Sequence, residues 1–132
     1  MTKIYHRDVF MPDGSLVGFV DAQWNLVYTK HALRELVNDR FGPVTHAPRS
    51  IRFTEDDVVE IEAEREYFAG MPVSSSAIKT TKIVVRVDYD DERDLILVLR
   101  RFDDGAAIVI TAWTNNIGDN HNTLNRNKYA TN

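Results

Sequence analysis

The chain has 132 residues, 43% hydrophobic and 27% charged, which suits one soluble domain around a single core. It contains no cysteine, which excludes a disulfide framework, a thiolate metal site and a cysteine nucleophile. The net charge of −4 is unevenly placed: seven acids fall within Thr54–Glu66, and elsewhere fifteen bases face thirteen acids, so a basic face is compatible with an acidic protein.

The opening "KIYHRDVFMPDGSLVGFV" predicts a β-hairpin, two apolar-rich runs around the turn residues Pro12–Gly14. It has no apolar core of signal-peptide length, and no run approaches a membrane span. With the missing cysteines, this points to a cytoplasmic protein with no membrane partner. Next, "YTKHALRELVNDRFGP" predicts a helix capped by Thr29 and stopped by Gly42–Pro43. Ala32, Leu33, Leu36 and Val37 form its apolar stripe, and His31, Arg34, Glu35 and Asn38 fall together on the opposite face.

"VTHAPRSIRF" reads as a loop because of Pro48 and scattered bases. From Thr54 a second helix is predicted, with Thr54 and Asp57 spaced as a capping box, acids in the first turn, Val58, Ile61, Arg65 and Phe68 on a helical period, and Gly70 with Pro72 ending it. The runs "KIVVRVDY", "DLILVLRRF" and "AAIVITAW" are apolar and β-branched, and their short spacers predict an antiparallel meander. The middle run is apolar on both faces from Leu95 to Leu99, as for a central strand covered by helices. The expected fold is therefore α+β: an antiparallel sheet with a C-terminal three-strand meander, two packing helices and an N-terminal hairpin. It forms one domain over 1–132, whose last part, 114–132, is a polar tail.

Most catalytic signatures are missing. The four histidines show no metal-ligand spacing, and no phosphate-binding glycine loop or serine elbow occurs, so the sequence implies no metal and no cofactor. "DYDDERD" lacks the pattern of a calcium loop and reads as a solvated turn. RNA cleavage by its own 2′-hydroxyl remains open. It needs one group to take that proton, another to protonate the leaving oxygen, and cations around the phosphorane. Suitable parts are His31 and Arg34 on the first helix, Arg100 or Arg101 at the end of the central strand (only one can face a given side, and Arg101 is taken), and His121, Arg126, Lys128 and Tyr129 in the tail. Asn122 adds a polar group there. Thr111 and Trp113 share a strand face, where Trp113 either stacks on a base or closes the core. His6 and His46 read as structural or incidental, and the Asn-rich tail has a bland reading as a locally hydrogen-bonded loop.

"YTKHALRELVNDRFGP", then "FTEDDVVEIEAE", then strands ending in "AAIVITAW" resemble the small RelE-like nucleases of the barnase–EndoU–colicin–RelE superfamily, many from phages and toxin–antitoxin systems. The likeness runs from Val27 to Trp113 by order of elements, on short motifs. It implies a metal-independent endoribonuclease, with His31 as the helix-borne catalytic or phosphate-contacting residue and the tail completing the site. RNA is then the substrate, and a cognate inhibitor or antitoxin a partner. The family's arginine commonly follows the histidine by four residues, where this chain has Glu35 and places Arg34 one position early. The competing reading is a non-catalytic phage or toxin-system accessory that binds a protein, favoured by the overall acidity and the seven-acid segment.

Overall fold

A computed structural model describes residues 2–5, 19–65, 67–68, 71–72 and 78–118. Its strands are β1 (Thr2–Tyr5), β2 (Gln23–Tyr28), β3 (Ser50–Arg52), β4 (Val58–Arg65), β5 (Tyr67–Phe68), β6 (Met71–Pro72), β7 (Ile78–Asp88), β8 (Arg93–Asp103) and β9 (Ala106–Asn116). One α-helix, α1 (Lys30–Val37), occurs among the described residues. Seven strands form one sheet in the order β1-β4-β7-β8-β9-β2-β3, and β5 pairs with β6 apart from it. The β2–β9 pairing is parallel and the other pairings are antiparallel, so the sheet is mixed.

This corrects the expected sheet packed by two helices. The run that opens at Thr54 does not continue as a helix. Its capping geometry is real, since Asp57 Oδ2 accepts from the Thr54 backbone N–H at 2.9 Å, but it opens only one 3₁₀ turn, Glu55–Asp57. From Val58 the chain is strand. The overlooked signal is alternation: Val59, Ile61 and Ala63 interleave with Glu60, Glu62 and Glu64, a period of two that a helix cannot use. Bulges in the pairing with β7 shift the phase, and Glu60 and Glu62 are buried rather than set on a solvated helix face. Glu62 meets Lys82 Nζ at 3.6 Å and accepts from Thr81 Oγ1 at 3.1 Å. At the N-terminus, β1 pairs with β4, and the expected turn Pro12–Gly14 lies outside the described residues.

The long runs form because β-branched and leucine side chains pack on both faces of β7 and β8. Leu95 to Leu99 are all buried: Leu95, Leu97 and Leu99 enter the main core with Phe53, Ile61, Ile83 and Val85, while Ile96 and Val98 join Val84 on the other face. Asp104 and Gly105 close the β8–β9 hairpin at φ 49° and 73°, the left-handed pair that a two-residue turn requires. In the β7–β8 turn the Asp90 carboxylate accepts from the backbone N–H groups of Glu92 and Arg93 at 2.9 and 2.7 Å, which holds its pKa below the usual range, the Glu92 bond contributing most.

The placing of α1 decides where the site lies. β2 covers β9 only from Ala106 to Val109, and the chain then turns directly into the helix. Thr29 caps it, accepting from Ala32 N at 3.1 Å, while its own N–H donates to Val109 O at 3.0 Å. The helix thus lies along the rest of the β9 edge. Ala32 and Leu36 enter the core, but Leu33 and Val37, expected in the same stripe, are 48% and 60% exposed. No helix among the described residues is long and apolar enough to cross a membrane.

Tyr28, the last residue of β2, donates its hydroxyl to Pro48 O at 2.6 Å, and burial pushes its pKa from 10.0 to about 12. Unfolded tyrosine releases its proton first on going alkaline. The Tyr28 contribution is therefore complete below about pH 10 and is lost as pH rises through about 12. Urea midpoints measured from pH 9 to 12 should fall for the wild type, and Tyr28→Phe should remove that part of the fall. An identical pH profile for both proteins would refute the assignment.

Candidate active site

A polar zipper joins α1 and its following turn to the edge of β9. The Thr111 hydroxyl donates to Glu35 Oε1, the Thr114 backbone N–H donates to Asp39 Oδ1 at 2.8 Å with its hydroxyl on Asp39 Oδ2, and Arg40 Nη2 donates to Asn115 Oδ1 at 2.9 Å. Thr114 and Asn115 are fully buried, so these bonds form where water does not compete. They also use the hydrogen-bonding edge of β9 that no strand pairs with. Two further contacts fix Asp39: the Phe41 N–H at 3.1 Å and Arg93 Nη1 at 3.8 Å. Arg93 in turn donates to Gly42 O at 2.8 Å.

Above this zipper opens a cleft of about 590 Å³, lined by His31, Arg34, Glu35, Asn38, Asp39, Arg40, Ala112 and Trp113. His31 Nε2 lies 3.0 Å from Glu35 Oε1, the oxygen that also receives the Thr111 hydroxyl. The His31 side chain is 66% exposed and that of Glu35 35%, so a water-facing imidazole is held from behind by a half-buried carboxylate. Such a pairing fixes the orientation of the ring. Arg34 stands beside it with no ion-pair partner among the described residues. Arg40 brings a second guanidinium, whose Cζ lies 4.6 Å from the Phe41 ring centroid. Trp113 packs on Ile96, Val98 and Val84 and forms an apolar wall. Among the described residues, no three His, Asp or Glu side chains converge as metal ligands would.

No family model, curated protein or solved structure matches this chain.

The four residues that the sequence placed on one helix face, His31, Arg34, Glu35 and Asn38, all line the cleft. Trp113 lines it too, and Thr111 reaches it through Glu35. Arg101 does not line it. It lies in the β8 irregularity at φ 56°, whereas Arg100, opposite Ile108, keeps the facing of Ile96 and Val98. His121, Asn122, Arg126, Lys128 and Tyr129 lie outside the described residues. The stretch assigned to the tail begins as structure, because β9 runs through Thr114 to Asn116. Sequence reasoning missed Asp39 and Arg40 because they follow the last helical turn and have no periodic signal. It placed Glu35 on the polar face of the helix but gave it no role in the site, although its spacing from His31 is that of a helical pair.

Proposed function

We propose that the chain is an endoribonuclease of the RelE-like kind, cleaving RNA by acid–base catalysis in the cleft between α1 and β9. The observation that carries this reading is the His31–Glu35–Thr111 relay, set between two guanidiniums and an aromatic wall. It rests on that chemistry and not on the order of elements, since one of the two expected helices is a strand.

With Nε2–H held by Glu35, Nδ1 of His31 takes the 2′-hydroxyl proton of the bound nucleotide. The 2′-oxygen attacks the adjacent phosphorus, and the bond to the 5′-oxygen breaks. A second group protonates that oxygen, the role the sequence gives to His121. Glu35 stabilises the imidazolium as it forms, and Arg34 and Arg40 offset the phosphorane charge. Trp113 offers a stacking surface for a base. The products are a 2′,3′-cyclic phosphate and a 5′-hydroxyl, so DNA, which lacks the nucleophile, is not cut. The test is to incubate purified protein with RNA in EDTA and examine the ends. Cyclic phosphate ends lost in both His31→Ala and His121→Ala support the reading, and intact RNA with the wild type sinks it.

A second reading, a non-catalytic accessory that binds a protein, draws on Leu33, Val37 and Phe41, 48%, 60% and 38% exposed along α1 and the turn beyond it. In the ribonuclease reading the same strip would suit a cognate inhibitor. Only the first reading requires cleavage by the protein alone.

A further inference from the structure

The sheet face that bears Thr111 and Trp113 continues beyond the cleft, and strand register settles which side chains share it. Thr111 opposes Val98 and Trp113 opposes Ile96. Two residues along β8, Arg100 opposes Ile108; Ile108 pairs with Val27, and Gln23 opposes Arg52 on β3. Paired residues point the same way and alternate along each strand. Arg100, Ile108, Val27, Asn25 and Arg52 therefore lie on one face with Thr111 and Trp113, while Trp24, Leu26 and Val109 turn into the core. Arg100, Arg52 and Asn25 are exposed, and Val27 is 56% exposed.

Neither Arg52 nor Arg100 has an ion-pair partner among the described residues, although Arg86 and Arg93 are bound to carboxylates. Three strand spacings and an offset of four residues, from Val27 to Gln23, separate the two arginines, about 20 Å between backbones, and Arg100 stands about 7 Å along β8 from the residue facing Thr111. Amide and aliphatic side chains lie between them. Asp103, opposite Ala106, closes the row with a negative charge.

We infer that this face is a track for single-stranded RNA leading out of the cleft, with Arg100 and Arg52 on backbone phosphates and Val27 and Ile108 beneath the bases. The inference rests on the ribonuclease reading and adds where the rest of the substrate lies. Two guanidiniums with no ion-pair partner among the described residues, and a narrow apolar strip between them, suit a flexible polyanion whose bases can lie flat.

The test is fluorescence anisotropy with an uncleavable 2′-O-methyl RNA of about 12 nucleotides, a length suited to a groove of this kind. Arg52→Ala and Arg100→Ala, both at exposed positions and checked by thermal melting, should each weaken binding about five-fold. Each should also reduce the slope of log affinity against log salt by about 0.7. The lysine variants should keep most of the slope. Unchanged affinity and slope in the double variant, while wild type cuts unmodified RNA, overturns the track and leaves the nuclease. Arginine-dependent binding by a protein that cuts no RNA keeps the track and removes the nuclease.

Discussion

His31→Ala should reduce kcat/KM for RNA by about 10²–10⁴-fold, the usual worth of a positioned proton-transfer group. The loss should lie mainly in kcat, because the imidazole acts on a proton that moves only in the transition state. The side chain is 66% exposed, so its removal should leave the thermal melt almost unchanged. Glu35→Gln separates orientation from charge: the amide can still meet the ring but cannot stabilise an imidazolium. It should lie within about ten-fold of the alanine variant if charge dominates. Thr111→Val, which leaves Glu35 without the hydroxyl, should show a smaller loss that Thr111→Ser recovers. Steady-state kinetics on a defined oligonucleotide checks the series. Full activity in His31→Ala would exclude it as the proton-transfer group.

The largest effect on stability is expected at Asp39. Its side chain is only 2% exposed and serves two groups of Thr114, the Phe41 N–H and Arg93. Asp39→Ala leaves a buried hydroxyl and a buried N–H without their acceptor and removes one of the carboxylates near Arg93, which keeps Asp90 and Gly42 O. Each buried group left unsatisfied costs about 1–3 kcal/mol, together a large part of the roughly 5–15 kcal/mol that holds a domain together. Asp39→Asn should cost less, because its carbonyl can still accept from the Thr114 N–H. Urea unfolding monitored by tryptophan fluorescence measures both variants. A cost below about 1 kcal/mol for the alanine variant would show that water replaces the carboxylate and that the zipper contributes little. Because Asp39 and Arg40 fix the floor of the cleft, the alanine variant should also lose activity at temperatures where it remains folded.

Local chemistry was legible where neighbours in sequence are neighbours in space. Thr29 caps a helix, and the Asp104–Gly105 turn joins two strands. His31, Arg34, Glu35 and Asn38 share a face because one helical turn puts them there. The second expected helix shows the limit of such reasoning. Its capping residues form their local bond, yet one turn of local bonding does not outweigh a strand of eight residues pairing with β1 on one side and β7 on the other. Leu33 and Val37 show a related limit. Periodicity gives the direction in which a side chain points, but not whether anything lies there.

Sequence alone determined some of the pieces: that the last three apolar runs extend, where the helix begins, and that histidine, arginine and carboxylate meet on one of its faces. The tertiary structure decided what those pieces do together. Only the pairing of β2 with the first four residues of β9 leaves an open strand edge for α1, and only that placing brings Glu35 to Thr111 and Asp39 to Thr114 across intervals of 76 and 75 residues. The bulge at Ile110, which the composition does not mark, turns Thr111 and Trp113 toward the cleft. Such facts depend on register and on contacts between distant parts of the chain, where one residue of slip moves every side chain to the other face.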